Sequence, residues 1–371
     1  MKTNKKILIV SAKAGAGHLM AAKALEAAAK EMLSGAEVRN IDLLDYSTIL
    51  SKEFYGEWYL DLVNRVPAFY AWLYEHVDNM TTGARLLADR ISAQKFKDYV
   101  LDFKPDIVLA SNFLPANLLT FWRKAEGLKF KILLTTTDFD AHPLYYDEKI
   151  DRYSASSDEV KEKLIALGVK KEKVAVCGIP VDPKYSKDYS QVAIRGKLRL
   201  NKDKITIYFA SGATGLGDVA DSFKKILRVK DDFQMIAVAG KNEKLKSELE
   251  SIAQKSKHRV VVLGFVDKME EVYAACDFII TKAGGLTVSE SLAMGLALVI
   301  TKPYPGQEEA NAEYLLRSAA ALRADKPQEL VKTVKLLLTD KKLLQTLKSN
   351  ARKIARPRAA YCVIENIKDW L

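Results

Sequence analysis

Cysteine is scarce: a chain of 371 residues has three, Cys177, Cys276 and Cys362, with no paired spacing. That pattern offers neither a disulfide framework nor a structural zinc motif and points to a reducing compartment. Ten prolines and 18 glycines are too few for a collagenous or low-complexity chain. No apolar run approaches the roughly 18 residues of a membrane span. The opening MKTNKKILIVSAKAG carries an apolar stretch too short for a secretion signal. Nucleic acid is not an expected partner, because no basic stripe carries interleaved stacking aromatics.

What is present is a core. Hydrophobic residues make up 49% of the chain, enough to exclude disorder and to fill two domains. The formal net charge is +11. Residues 1–180 carry 25 bases against 24 acids and residues 181–371 carry 33 against 23, so the excess lies in the second half. Such a field favours a diphosphate or an anionic membrane surface, or is simply a lysine-rich solvated surface.

Short apolar runs at 6–11, 36–45, 104–111, 130–140, 151–157 and 173–181 read as strands alternating with helices, and the longest helical stretch covers about 46–100. The pattern restarts at 204–212, 233–240, 258–265, 277–285 and 296–303, and 328–371 closes the chain as basic amphipathic helix. Alternation of this kind predicts two α/β units with parallel sheets and a cleft between them. The expected division is 1–184, a connection over 185–204, a second domain over 205–350 and a final helix over 351–371, returning to the first domain.

Three glycine-rich turns stand where strands should meet helices. GAGH places Gly15, Gly17 and His18 after the first strand, and FASGATGLGDV places Gly212, Gly215 and Gly217 after the first strand of the second unit. Neither is a dinucleotide fingerprint or a Walker loop. In KAGGLTVSE, Gly284, Gly285, Leu286 and Thr287 open a helix whose first N–H groups suit a diphosphate. Glu290 is one turn later, placed to accept ribose hydroxyls. PYPGQEEAN then delivers Gln307, Glu308 and Asn311 as polar groups for a hexose. TTDFDAH ends a buried strand with Asp138, Asp140 and His142. His18, Asp138 and Asp140 are the competing candidates for a general base.

Leu50, Phe54, Trp58, Leu62 and Val66 recur every four residues with Tyr55, Tyr59, Phe69 and Trp72 beside them, an apolar helical stripe. It either packs on the first sheet or enters a membrane interface. The opposite face, with Glu53, Glu57 and Asp61, lacks the lysines usual in a membrane-surface helix.

Taken together, GAGHLMAAKAL, SNFLPANLL, TTDFDAHPLYY, GIPVDPKY, GFVDKMEEVYAACD, KAGGLTVSESLAMG and PYPGQEEANAEYLL resemble the lipid-directed glycosyltransferases that include monogalactosyldiacylglycerol synthase and processive diacylglycerol glucosyltransferase. The resemblance implies a GT-B fold of two Rossmann-like domains facing a central cleft. It implies inverting transfer of glucose or galactose from a UDP-α-sugar to diacylglycerol or a related glycolipid, with no bound cofactor and no essential metal. By the same likeness His18 is near the acceptor hydroxyl and Phe265 and Val266 hold the uracil. Gly285 and Thr287 take the diphosphate, Glu290 the ribose, and Gln307, Glu308 and Asn311 the hexose. The apolar stripe and the basic residues elsewhere in the chain lead to the expectation of a cytoplasmic enzyme peripheral to the inner face of the cell membrane. The alternatives are transfer of N-acetylglucosamine to a polyprenyl-linked or small acceptor, and a UDP-sugar sensor. One departure touches the acceptor side, where His142 is followed by Pro143-Leu144-Tyr145-Tyr146 and no tryptophan.

Overall fold

A computed structural model describes residues 2–13, 16–46, 93–210 and 219–371. The apolar stripe expected over Leu50–Trp72, together with Gly15, Gly212, Gly215 and Gly217, lies outside the described residues.

The chain begins β1 (Lys6–Ser11), α1 (Ala16–Met32), β2 (Glu37–Asp42), α2 (Gln94–Phe103), β3 (Ile107–Ala110), α3 (Phe113–Ala125), β4 (Lys131–Thr135), β5 (Arg152–Ala155), α4 (Asp158–Ala166) and β6 (Val174–Val176). It continues through α5 (Gln191–Lys197), β7 (Thr206–Ala210), α6 (Val219–Ile226), β8 (Gln234–Val238), α7 (Glu243–Gln254), β9 (Arg259–Leu263), α8 (Met269–Ala275) and β10 (Phe278–Thr281). Then follow α9 (Gly285–Ala293), β11 (Ala297–Ile300), α10 (Gln307–Arg317), β12 (Ala321–Arg323), α11 (Pro327–Thr339), α12 (Lys341–Ile354) and α13 (Ala359–Glu365).

Two six-stranded sheets result, in the orders β2-β1-β3-β4-β5-β6 and β12-β11-β10-β7-β8-β9. Every strand pairing among the described residues is parallel. A parallel sheet is covered on both faces, so its central strands read as unbroken apolar runs. In β1, Leu8 and Val10 enter one core while Ile7 and Ile9 enter another, against Leu25 and Ala28 of α1 and Val363 and Ile364 of α13. The second sheet divides its strands the same way: Tyr208 faces one core, Ile207 and Phe209 the other. These are the two parallel α/β units that the strand alternation predicts, in the GT-B arrangement that the resemblance implies.

The stretch 185–204, read from its sequence as a connection, carries a helix of its own. Ser190 caps α5 by accepting from the Ala193 N–H, and Ile194 and Leu200 join the second domain's core. Arg195 is buried. It donates to the Ala275 and Lys202 carbonyls and pairs with Asp277 at 2.7 Å. A basic, polar sequence hid this anchor because two of the three partners of buried Arg195, Ala275 and Asp277, are distant in sequence.

The chain returns to the first domain at its end. Beyond the apolar seam between α13 and α1, Arg152 makes two 2.6 Å bonds to Asp369 and lies over the Trp370 ring. Tyr361 donates to Glu31. Cys177 and Cys362 form a disulfide across a sequence separation of 185 residues. That corrects the expectation drawn from cysteine content: two of the three residues are partners, brought together by the closing helix, and the argument for a reducing compartment falls with it. In chain unfolded without reductant, one thiol, that of buried Cys276, should react with an alkylating reagent, rising to three after reduction. Three reactive thiols before reduction would remove the link.

Candidate active site

In each sheet the strand order reverses beside the first strand, between β1 and β3 and between β7 and β10. Loops diverge there and leave a crevice at the carboxyl ends of the strands. His18, three residues into the helix following β1, meets the residues that follow β3. Its Nδ1 is 2.8 Å from the Ser111 carbonyl oxygen, an acceptor only. The ring proton therefore belongs on Nδ1, leaving Nε2 with the lone pair. Thr137 Oγ1 also stands 2.9 Å from Nδ1, and Asn112 Nδ2 is 3.3 Å from Nε2. Asn112 holds its place by capping α3, accepting from the Leu114 N–H.

The same Thr137 touches the second domain. A Cβ on Gly285 would come 2.2 Å from the Thr137 carbonyl oxygen and 3.0 Å from Asp138 Oδ1. Only glycine permits that approach. Gly284 and Gly285 open α9, and no side chain among the described residues caps this terminus. Its first amides, on Gly285, Leu286 and Thr287, present the positive end of the helix beside the turn that carries His18's partner. Among the described residues, none comes within 4 Å of a Cβ placed on Gly17.

The two aspartates of TTDFDAH part company. Asp140 is bound to Lys163 at 2.5 Å and accepts from the Ala141 N–H, a surface arrangement. Asp138 turns into the seam between the domains, where burial pushes its carboxyl up against the pull of Asn311 and His18. His142 caps the short turn Pro143–Tyr145 by accepting from Leu144.

In the second domain, Glu290 accepts from the Tyr273 hydroxyl at 3.2 Å, with Tyr185 beside Tyr273. Burial pushes this carboxyl up to about 7, with the two tyrosines and Lys184 opposing. Glu308 accepts from the Tyr304 N–H at 2.9 Å and its Oε1 is 3.9 Å from a Cβ on Gly284. Burial raises it, while Lys282, whose ammonium lies 3.8 Å over the Tyr304 ring, pulls it down. Gly306, at φ 88°, turns the chain into α10, with half-buried Gln307 as the helix's first residue. Phe265 projects beyond β9, 63% exposed, with Lys241 over its ring, while Val266 packs on the core. Asn311, by contrast, is wholly buried and its amide is spent on protein groups.

The structure thus brings together His18, Asp138, Gly284, Gly285, Glu308 and Asn311, and leaves Asp140 and His142 in local bonds. Sequence reading gave no role to Ser111, Asn112, Thr137, Tyr185 or Tyr273. The blocks SNFLP, TTDFD and VDPKY contain four of them, but only the fold shows what each touches. No group of three or more His, Cys, Asp or Glu among the described residues is arranged to hold a metal ion.

Residues 18–181 match the model of the monogalactosyldiacylglycerol (MGDG) synthase family and residues 190–354 that of glycosyl transferases group 1. A processive diacylglycerol beta-glucosyltransferase of Bacillus licheniformis is 30% identical over 368 residues, covering 99% of this chain and 95% of the relative. That of Bacillus subtilis is 29% identical, covering 99% and 96%. Among solved structures, Acinetobacter baumannii MurG superposes with a TM-score of 0.68 at 17% identity, over 98% of this chain and 99% of that one. The S. aureus MnaA–UDP complex gives 0.62 at 17% identity, over 99% and 96%. At such identities these two speak for the fold alone.

Proposed function

We propose, for a chain that belongs to the family of the processive diacylglycerol β-glucosyltransferases, inverting transfer of glucose from UDP-glucose to the hydroxyl of a diacylglycerol-type acceptor. The single observation carrying the chemistry is Thr137. Its hydroxyl meets the His18 ring and its carbonyl meets Gly285, so one residue joins the base candidate to the diphosphate turn.

In the proposed reaction the acceptor hydroxyl attacks the anomeric carbon from the face opposite UDP. Its proton passes to His18 Nε2, the only ring nitrogen with a lone pair, as the bond from carbon to the diphosphate oxygen breaks. The Nδ1 proton, held by the Ser111 carbonyl, fixes the ring for that transfer. Charge growing on the diphosphate meets the uncapped amides of α9, which need no reorganisation. Glu290 takes the ribose, Phe265 and Val266 the uracil, and Gln307 with Glu308 the hexose. Gly212 and Gly215, which lie outside the described residues, belong to the same proposal as diphosphate-binding residues.

The Bacillus relatives are glucosyltransferases, which supports glucose over galactose as the sugar moved. No described helix is long and apolar enough to cross a membrane. We place the enzyme peripherally at the cell membrane, drawn to anionic headgroups by the basic second half of the chain. The test offers labelled UDP-glucose, UDP-galactose or UDP-N-acetylglucosamine with diacylglycerol in anionic vesicles. Glucosyl diacylglycerol should form as the β-anomer, and salt should reduce vesicle binding and turnover together. Galactosyl product would change the donor, while transfer only to a polyprenyl-linked or soluble acceptor, or no turnover at all, would overturn the lipid assignment.

A further inference from the structure

We infer that Asn311 is a positioning residue that latches the Thr137-Asp138-Phe139 turn of the first domain to the second and holds the Asp138 carboxylate beside His18. This rests on the reading above, in which the His18 ring receives the acceptor's proton.

The sequence suggested a hexose contact, and the bonds leave no group for one. Asn311 Nδ2 donates to Asp138 Oδ1 and to the Ala283 carbonyl, both at 2.9 Å. Its Oδ1 accepts from the Phe139 N–H at 2.6 Å. Both amide hydrogens are committed, and the oxygen already holds a short bond in a residue with no exposed surface. Cutting such a side chain back would strand buried donors and acceptors, so the arrangement is costly to open.

Neighbours close the same seam. The Phe139 ring stacks on Tyr314, one turn further along α10, at 4.4 Å and 8°. Ser156 Oγ donates to the Asp138 carbonyl at 2.6 Å, fixing the main chain of the residue whose side chain Asn311 grips. Thr137 fills the space that Gly285 leaves empty. One asparagine therefore ties the turn after β4 to both the end of β10 and the start of α10.

The consequence is electrostatic. Burial pushes the Asp138 carboxyl up, the Asn311 amide and His18 on α1 draw it down, and Asp140 in its own turn adds to the rise. Glu308 on α10 and Tyr145 from the turn after β4 both feel its charge. Asp140 is itself answered by Lys163 on α4. Among these, Asn311 is the donor that favours the ionised form through a hydrogen bond. An ionised Asp138 stabilises the imidazolium formed when His18 takes a proton. A neutral one does not.

The sign follows. Without the amide, Asp138 holds its proton to higher pH, so the acid limb of kcat moves upward. In full-length Asn311→Ala we expect kcat at neutral pH to fall about tenfold or more, with the acid limb shifted up by about one pH unit. The ratio of UDP-glucose to UDP affinity by calorimetry should stay unchanged. The near-isosteric Asn311→Asp sets a second carboxyl against Asp138 and should move the limb further, whether or not the alanine variant folds. Loss of UDP-glucose affinity relative to UDP with an unmoved limb would overturn the latch and restore the hexose contact. A folded Asn311→Asp variant with an unmoved limb would overturn it too. Failure of wild-type enzyme to glycosylate any lipid sinks the functional reading instead, and the affinity ratio still decides whether Asn311 touches the sugar.

Discussion

Replacing His18 with alanine should lower kcat by about 10²–10⁴ while UDP affinity stays within about twofold. The expectation follows from which atoms the fold uses. The His18 main-chain carbonyl accepts from Ser111 Oγ at 2.9 Å, a bond the substitution leaves in place. Ser111 and Asn112 keep their positions through β3 and the α3 cap, so the crevice loses a ring and keeps its walls. What disappears is Nε2, the lone pair on the first-domain side of the cleft. Measuring single-turnover transfer at saturating UDP-glucose isolates that loss from product release. A rate near wild type would move the base to Asp138, the other candidate in the seam. Asp140, committed to Lys163, would not inherit the role.

The fold was legible where burial is local. KILIVS and FKILLT are apolar runs because parallel strands are covered on both faces, and glycines mark the turns where helices leave the sheet. The same rule brought out GAGH and KAGG, since a crevice at reversed strand order falls just there. Pairings between distant segments left no such mark. Nothing in the composition of 185–204 shows that Arg195 is buried against Asp277. Nothing near Cys177 indicates that Cys362 closes on it from the end of the chain. Asn311 was found by its place beside Pro305 and Gly306, and its partners Phe139 and Asp138 lie a domain away. Periodicity reports that a side chain is buried, and only three-dimensional packing reports against what.

Glu290→Ala should weaken UDP binding by about 1–3 kcal/mol, about 5- to 150-fold, the cost of losing charged hydrogen bonds to the ribose. The surroundings of Glu290 add a pH dependence. Tyr273 donates to its carboxylate and Tyr185 also draws the carboxyl down, with Tyr273 braced edge-on by Tyr185 at 5.8 Å and Tyr208 at 5.4 Å. Those pulls do not offset the loss of solvent, and the carboxyl is pushed up to about 7. Only the ionised form accepts from two ribose hydroxyls at once. Affinity should therefore fall as pH drops below about 7, because binding then requires the carboxyl to give up its proton first. UDP's terminal phosphate titrates near pH 6 as well, so wild type alone cannot assign the slope. Glu290→Gln keeps the volume and one acceptor but cannot titrate. Calorimetry from pH 5.5 to 8 should show a steeper fall in wild type than in Glu290→Gln, the difference centred near 7. Equal slopes would mean that the phosphate supplies the whole dependence and that Glu290 stands outside the ribose site.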